Sequence, residues 1–245
     1  SYAILVDWVS GSNQTPGHLT LTDCSTDPNK PGTISGGNSS AAVELQAGSD
    51  LDMYGGTITG SSKGVEFTSE DTVFNMYGGV ITGNSSYGVS MTAGTFKMSG
   101  GEITGNNGGV FVGTASAFEV SGKVKIIDNT ASGKANNVHL NNQHHDKIFT
   151  VTNSNLQDGA KIGVTTEKIP SSTSTVKIAS AFEGNEKYIE SDMDGYKTQY
   201  DSAEGGVVLA VDPAAHAKTC TSHSDWNGGT ERSPWMVAEA KALSS

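Results

Sequence analysis

The sequence is poor in the residues that build disulfide-rich scaffolds, helical domains and nucleic-acid binders. Its two cysteines, Cys24 and Cys220, are too few for a disulfide framework and lack the close spacing of a metal site. They lie in different segments, so pairing and two separate thiols both remain open. No apolar run reaches 18 residues, which excludes a membrane-spanning helix. Only 15 Lys and Arg stand against 26 Asp and Glu, for a net charge of −11. Binding to phosphate backbones needs clustered basic residues, so nucleic acid is excluded as a partner. The plain reading of the charge is solubility through an acidic surface. No secretory leader opens the sequence, which begins directly in an apolar strand, Tyr2 to Val6. It reads as a mature product or an excised fragment.

What is abundant is glycine, 31 of 245 residues, together with Ser, Thr and Asn. These are poor helix formers, and they punctuate a repeat. The segments LDMYGGTITG from Leu51, FNMYGGVITG from Phe74, FKMSGGEITG from Phe96 and the decayed FEVSGKVKII from Phe118 align. Met53, Met76, Met98 and Val120 are therefore 23, 22 and 22 residues apart. A weaker earlier copy is LTLTDCS from Leu19 followed by GTISG from Gly32. Each copy carries a third short apolar strand, beginning at Val43, Val65, Val89, Val110 and Val138.

Within each strand apolar and polar residues alternate, as in Phe74-Asn75-Met76, which is the period of a strand with one buried face. Three short strands per ~22 residues, separated by glycine turns, predict a coil that gives one strand to each of three parallel sheets. One coil cannot bury enough apolar surface to offset the entropy of ordering it, so neighbouring coils must stack. Gly55-Gly56, Gly78-Gly79 and Gly100-Gly101 serve sharp bends through positive φ or close approach. Asn84, Asn106 and Asn129 recur after the ITG or IID strand. They form either an internal amide ladder or a set of surface turns.

The unit F-x-M-x-G-G-x-I-T-G-N-x-x-x-G-V, from about Leu19 to Leu140, resembles the right-handed parallel β-helix repeats of large surface proteins of anaerobic gut-type bacteria. Those proteins are adhesin-type and share the pectate-lyase-like fold. The resemblance implies an all-β, right-handed β-helix solenoid at the cell surface or outside the cell. It places the repeats in residues 1–146. Residues 147–213 then hold irregular β coils or a small β module, and of the two, irregular coils continuing the stack are favoured. Strands are expected at Ile148 to Thr152, Ala160 to Val164, Val176 to Ala181 and Gly206 to Val211. In residues 214–245, Trp226-Asn227-Gly228-Gly229-Thr230 leading to Ser233-Pro234-Trp235-Met236-Val237 and AEAKALSS resembles the opening strand and short capping helix of another β-helix. Either the next module of a tandem array is attached, or this cap folds onto the first coil of another copy. Tyr2, Ile4, Val6 and Trp8 at one end and Trp235, Val237 and Leu243 at the other would make that head-to-tail contact, and contacts that do not close give filaments.

Chemistry is sparse. The outward row of the first strand reads Asp52, Asn75, Lys97, Glu119, and that of the third reads Glu66, Ser90, Phe111, His139. Neither offers the paired carboxylates of a glycosidase, and the motifs of polygalacturonases and pectate lyases are not visible. No enzyme activity, cofactor or metal is expected. Glu70-Asp71 and the acids Asp192, Asp194 and Asp201 read as solvated turns. His144-His145-Asp146 is the one compact titratable cluster and reads as an exposed loop. The row Thr57, Val80, Glu102 is not the threonine array of an ice-binding face. Tyr54, Tyr77 and Tyr87 are candidates for stacking on a sugar ring. The leading expectation is a structural or adhesive module whose partners are other copies, neighbouring modules, surface glycans or a host ligand. A filament subunit comes second, and a polysaccharide-active enzyme of the same fold third.

Overall fold

A computed structural model of the chain describes residues 3–7, 16–27, 30–36, 40–143 and 146–217. The described residues form a parallel β-solenoid of about seven turns. Sheet A stacks His18–Leu21, Asp50–Met53, Val73–Met76, the second half of Tyr87–Met98, the second half of Gly108–Gly122, Phe149–Leu156 and Val176–Ser180. Sheet B begins with Thr33–Ser35, Thr57–Thr59, Val80–Thr82, Glu102–Thr104 and Lys125–Ile126. It continues into the start of Lys161–Thr166 and Ile189–Ser191. Sheet C stacks Ile4–Val6, Ala41–Leu45, Lys63–Phe67, the first halves of the two long strands, Val138–Leu140 and the end of Lys161–Thr166.

The register is that of the repeat alignment: Met53 pairs with Met76, Met76 with Met98 and Met98 with Val120. Identical side chains therefore lie one above another inside. Phe74, Phe96 and Phe118 stack with ring centroids 4.7 and 5.1 Å apart and planes 12° and 9° from parallel. Phe149 continues the row at 5.9 Å. All four are buried, as are Ile58, Ile81, Ile103 and Ile126. The coil rise matches the strand spacing of a sheet, which is also a good distance for stacking flat rings.

The coils are spaced about 24 residues apart, longer than the repeat unit, because later coils carry larger loops. Val110 pairs with Val138 and Val138 with Val164; the small antiparallel hairpin of Thr130–Ala131 and Lys134–Ala135 accounts for part of that excess. The two glycines of each Gly-Gly bend do different things. Gly79 and Gly101 have φ of 88° and 87°, in the left-handed region. Gly78 and Gly100 lie against the carbonyl oxygens of Tyr54 and Tyr77, where a Cβ would collide.

Beyond residue 146 the coils continue in parallel as far as Ile189–Ser191. Two strands that the alternation pattern did not announce, Ile189–Ser191 and Tyr196–Asp201, join those that it did. Gly206–Val211 then pairs antiparallel with both Val176–Ser180 and Tyr196–Asp201. This antiparallel pair covers the last edge of sheet A, and Val207, Val208 and Leu209 are fully buried. A short helix, Pro213–Ala217, is the last element among the described residues. Among the described residues no helix is long and apolar enough to cross a membrane.

Candidate functional site

The candidate tyrosines sit where each sheet A strand ends. Tyr54 N–H donates to Leu21 O at 2.8 Å, Tyr77 N–H to Met53 O at 2.8 Å and Ser99 N–H to Met76 O at 2.9 Å. Tyr54, Tyr77 and Ser99 therefore form one row along the axis. Each comes directly after an inward methionine, so alternation turns it outward. The Tyr54 and Tyr77 rings stack at 4.7 Å and 14°, and they remain 52 % and 46 % exposed. Partial burial raises the Tyr77 hydroxyl above its ordinary range, helped by the charge of Asp52 and by Tyr54, so it is a neutral donor at physiological pH. Beside the rings, Asn75 Nδ2 donates to Asp52 Oδ1 at 2.8 Å, and His18 Nε2 lies 3.8 Å from Asp52 Oδ2.

Tyr87 is not part of this pair. It begins the sheet C portion of its strand, and its ring packs 5.4 Å from Phe111 and 6.4 Å from His139. His139 Nε2 lies 3.5 Å from Glu167 Oε1, and its Nδ1 lies 3.3 Å from Asn136 Oδ1. The three tyrosines thus divide between two faces, an exposed stack and a half-buried aromatic row.

Of the residues expected to make an end-to-end contact, Ile4 pairs with Val43 and Val6 with Leu45 in sheet C. Tyr2, Trp8, Trp235, Val237 and Leu243 lie outside the described residues, as do Cys220, His144 and His145. Cys24 is exposed, and Asp146 forms an ion pair with Lys168. The first described coil is open on one side: Ile4, Leu19, Leu21 and Ile34 are only partly buried. A cavity of about 200 Å³ lies between Leu21, Ile34, Met53 and Ile58 there.

The structure settles the two readings of the recurrent asparagines. Asn84, Asn106 and Asn129 are buried. Asn84 Nδ2 donates to Asn106 Oδ1 at 2.9 Å, Asn106 Nδ2 to Asn129 Oδ1 at 2.9 Å and Asn129 Nδ2 to Asn137 Oδ1 at 3.0 Å. Each acceptor also takes the backbone N–H of the residue before it in the ladder, at 3.0 to 3.1 Å. All the amides point the same way, so the hydrogen bonds polarise one another.

The ladder ends on a carboxylate. Asn137 Nδ2 donates to Asp192 Oδ1 at 2.6 Å, its backbone N–H to Oδ2 at 2.7 Å, and Thr165 Oγ1 to Oδ2 at 3.1 Å. This corrects the reading of Asp192 as a solvated turn acid. Both oxygens must accept here, which a carboxylate can do and an amide cannot. Burial holds the Asp192 carboxyl above the ordinary carboxylate range, against the lowering effect of the Asn137 and Thr165 hydrogen bonds. Lys147 is also partly buried, which lowers its ammonium pKa, and its Nζ donates to Ser116 O at 2.6 Å.

Three outward glutamates each pair with a lysine: Glu66 with Lys63, Glu102 with Lys125 at 2.7 Å and Glu190 with Lys161 at 3.1 Å. Among the described residues no three His, Cys, Asp or Glu side chains gather as metal ligands would. Comparison with protein-family models, with curated proteins and with solved structures finds no match. The family resemblance of the chain therefore rests on its repeat unit alone.

Proposed function

We propose that the chain is a non-catalytic, extracellular β-helix module of a bacterial surface protein, with a structural and adhesive role. The observation that supports this reading is the continuity of its internal rows. Phenylalanine, isoleucine and asparagine repeat from coil to coil without interruption, which makes a stiff body whose outward side chains hold fixed spacings. The mechanism is geometric: a rod that separates its ends and presents its faces. Titration of the labelled full chain onto intact bacterial and epithelial cells tests it. Saturable binding is the expected result, and binding that rises linearly without saturation overturns the adhesive role.

A second reading, a filament subunit joined head to tail, is favoured by one observation. The first coil leaves Leu19, Leu21 and Ile34 half covered, whereas antiparallel strands close the last edge of sheet A at the other end. Unpaired edges invite another chain. Negative-stain electron microscopy across a dilution series, beside a chain ending at Arg232, separates the readings. Fibres from the full chain alone support assembly, and single short rods from both remove it.

A further inference from the structure

The tyrosine stack stops after two members and opens into a slot. One face of Tyr77 is covered by Tyr54; the other looks along the axis toward Ser99, which is exposed. The row then continues to Ser121. Gly122 lies against Ser99 O just as Gly100 lies against Tyr77 O and Gly78 against Tyr54 O. Two small residues thus occupy the places where rings would stand.

The far end of the row meets a bulge. Val120 pairs with Val151 but Gly122 with Leu156, so the next coil carries extra residues opposite Ser121. Among them Thr152, Asn153 and Asn155 are partly or fully exposed and so lie on the outside. Asn185 Nδ2 donates to Asn155 Oδ1 at 3.2 Å and anchors this bulge. Three coil rises, about 14 Å, separate the tyrosine from the bulge, with the two serine layers between them. Along one side stand Lys97 and Glu119, register partners two residues upstream of the serines. Across the Gly-Gly bend lies the Glu102–Lys125 pair.

We propose that this slot is a saccharide-binding site that takes a disaccharide unit of a surface glycan, with the first pyranose stacked on Tyr77. The inference rests on the adhesive reading above and names its ligand class. An aromatic ring offers its face to the C–H side of a sugar. The floor and rim supply hydroxyl, ammonium, carboxylate and amide groups, which match sugar hydroxyls at the ring edge. A flat aromatic ligand would use Tyr77 but leave that polar rim without partners. A glycosidic bond continues roughly in the plane of the stacked ring, so the second pyranose lies across the row, over Lys97 and Glu119 or over the Glu102–Lys125 pair.

The test titrates the full chain with cellobiose, maltose, lactose, mannobiose and diacetylchitobiose, and with adenosine and N-acetyl-tyrosinamide as flat probes. Two variants accompany it. The double substitution Ser99→Tyr and Ser121→Tyr extends the stack and fills the slot, and Tyr77→Ala removes its wall; urea unfolding checks that both remain folded. The expected result is saturable binding of at least one disaccharide, weakened about tenfold or more in each variant, as for loss of a face contact on one ring. Disaccharide binding that the double variant leaves unchanged overturns the slot but not the adhesive reading. So does binding of the flat probes alone, or of no probe by a chain that still saturates on cells. Failure on both probes and cells removes both.

Discussion

Two regions of the same solenoid are built differently. In the coils between residues 41 and 126, the phenylalanine, isoleucine and valine rows keep their residue type over three or more turns, as in Phe74, Phe96 and Phe118 or Val43, Val65, Val89 and Val110, and each turn is close to the repeat length. From residue 146 onward the type changes: Phe149 stands over Ala179, loops lengthen, and the last strands reverse direction. Repetition lets flat rings and amides stack at the strand spacing and extends the rod. Ending the rod requires that repetition be broken, here by a charged group that accepts on both oxygens and by strands that run antiparallel. The first region is a device for length and the second a device for stopping.

The largest expected effect breaks the repetitive region at its centre. Phe96 is held between two rings, whereas Phe149 has a ring on one side and Ala179 on the other. Phe96→Ala should cost about 3–5 kcal/mol, and Phe149→Ala measurably less, by urea unfolding of the two variants. Equal losses would contradict the claim that stacking, beyond burial, supports the regular coils.

Next comes the amide ladder. Asn106→Ala leaves the N–H groups of Asn84 without their acceptor and Ile81 O and Thr104 O without their donor. A loss of about 2–3 kcal/mol is expected from these buried polar groups, again by urea midpoint. A loss below that of an exposed asparagine substitution such as Asn153→Ala would show that water replaces the ladder.

A smaller effect tests the terminator. Asp192→Asn sets an NH₂ group against an N–H of Asn137 and should cost about 1–2 kcal/mol, despite the near-identical shape. Its pH signature is distinct. The raised Asp192 pKa means that the folded chain takes up this proton at a higher pH than the unfolded chain. The contribution of Asp192 is therefore fullest below the unfolded pKa and falls as pH rises toward the folded one. Unfolding free energies measured across the mildly acidic range should show this downward component in the native chain and lack it in Asp192→Asn.

The repeat, the strand registers and the outward rows were legible in the sequence because period-two alternation and glycine punctuation recur at near-constant spacing. The fate of the asparagines was not, since Asn serves turns and ladders alike. A signal was present all the same: Gly64, Gly88 and Gly109 precede Val65, Val89 and Val110 of sheet C, and a Cβ at any of them would meet an asparagine Nδ2 of the ladder. Asn137 and Asp192 escaped because they enter the ladder from sheet C and from beyond it, out of phase with the repeat. The tyrosine pair was legible from its equal repeat position. That Tyr87 belongs to another face was not, because it shares the alternation phase of the inward Val89 and Met91, whereas its ring lies against Gly108 and packs on Phe111.

The smallest expected effect concerns a decayed repeat. Asp128 has φ 56° at the position that Gly60, Gly83 and Gly105 hold in the earlier coils. Asp128→Gly should stabilise the chain by about 0.5 kcal/mol, relief of backbone strain being partly offset by a more flexible unfolded state. Destabilisation in a thermal melt would show that the aspartate side chain, and not its backbone, matters there.

The central claim is that this rod binds a surface ligand without transforming it. The most direct measurement incubates the native chain with a panel of soluble bacterial and host polysaccharides, recording binding at equilibrium and new reducing ends over a long incubation in the same samples. The account predicts saturable binding with no new ends. Release of reducing ends that a single carboxylate substitution abolishes would contradict it.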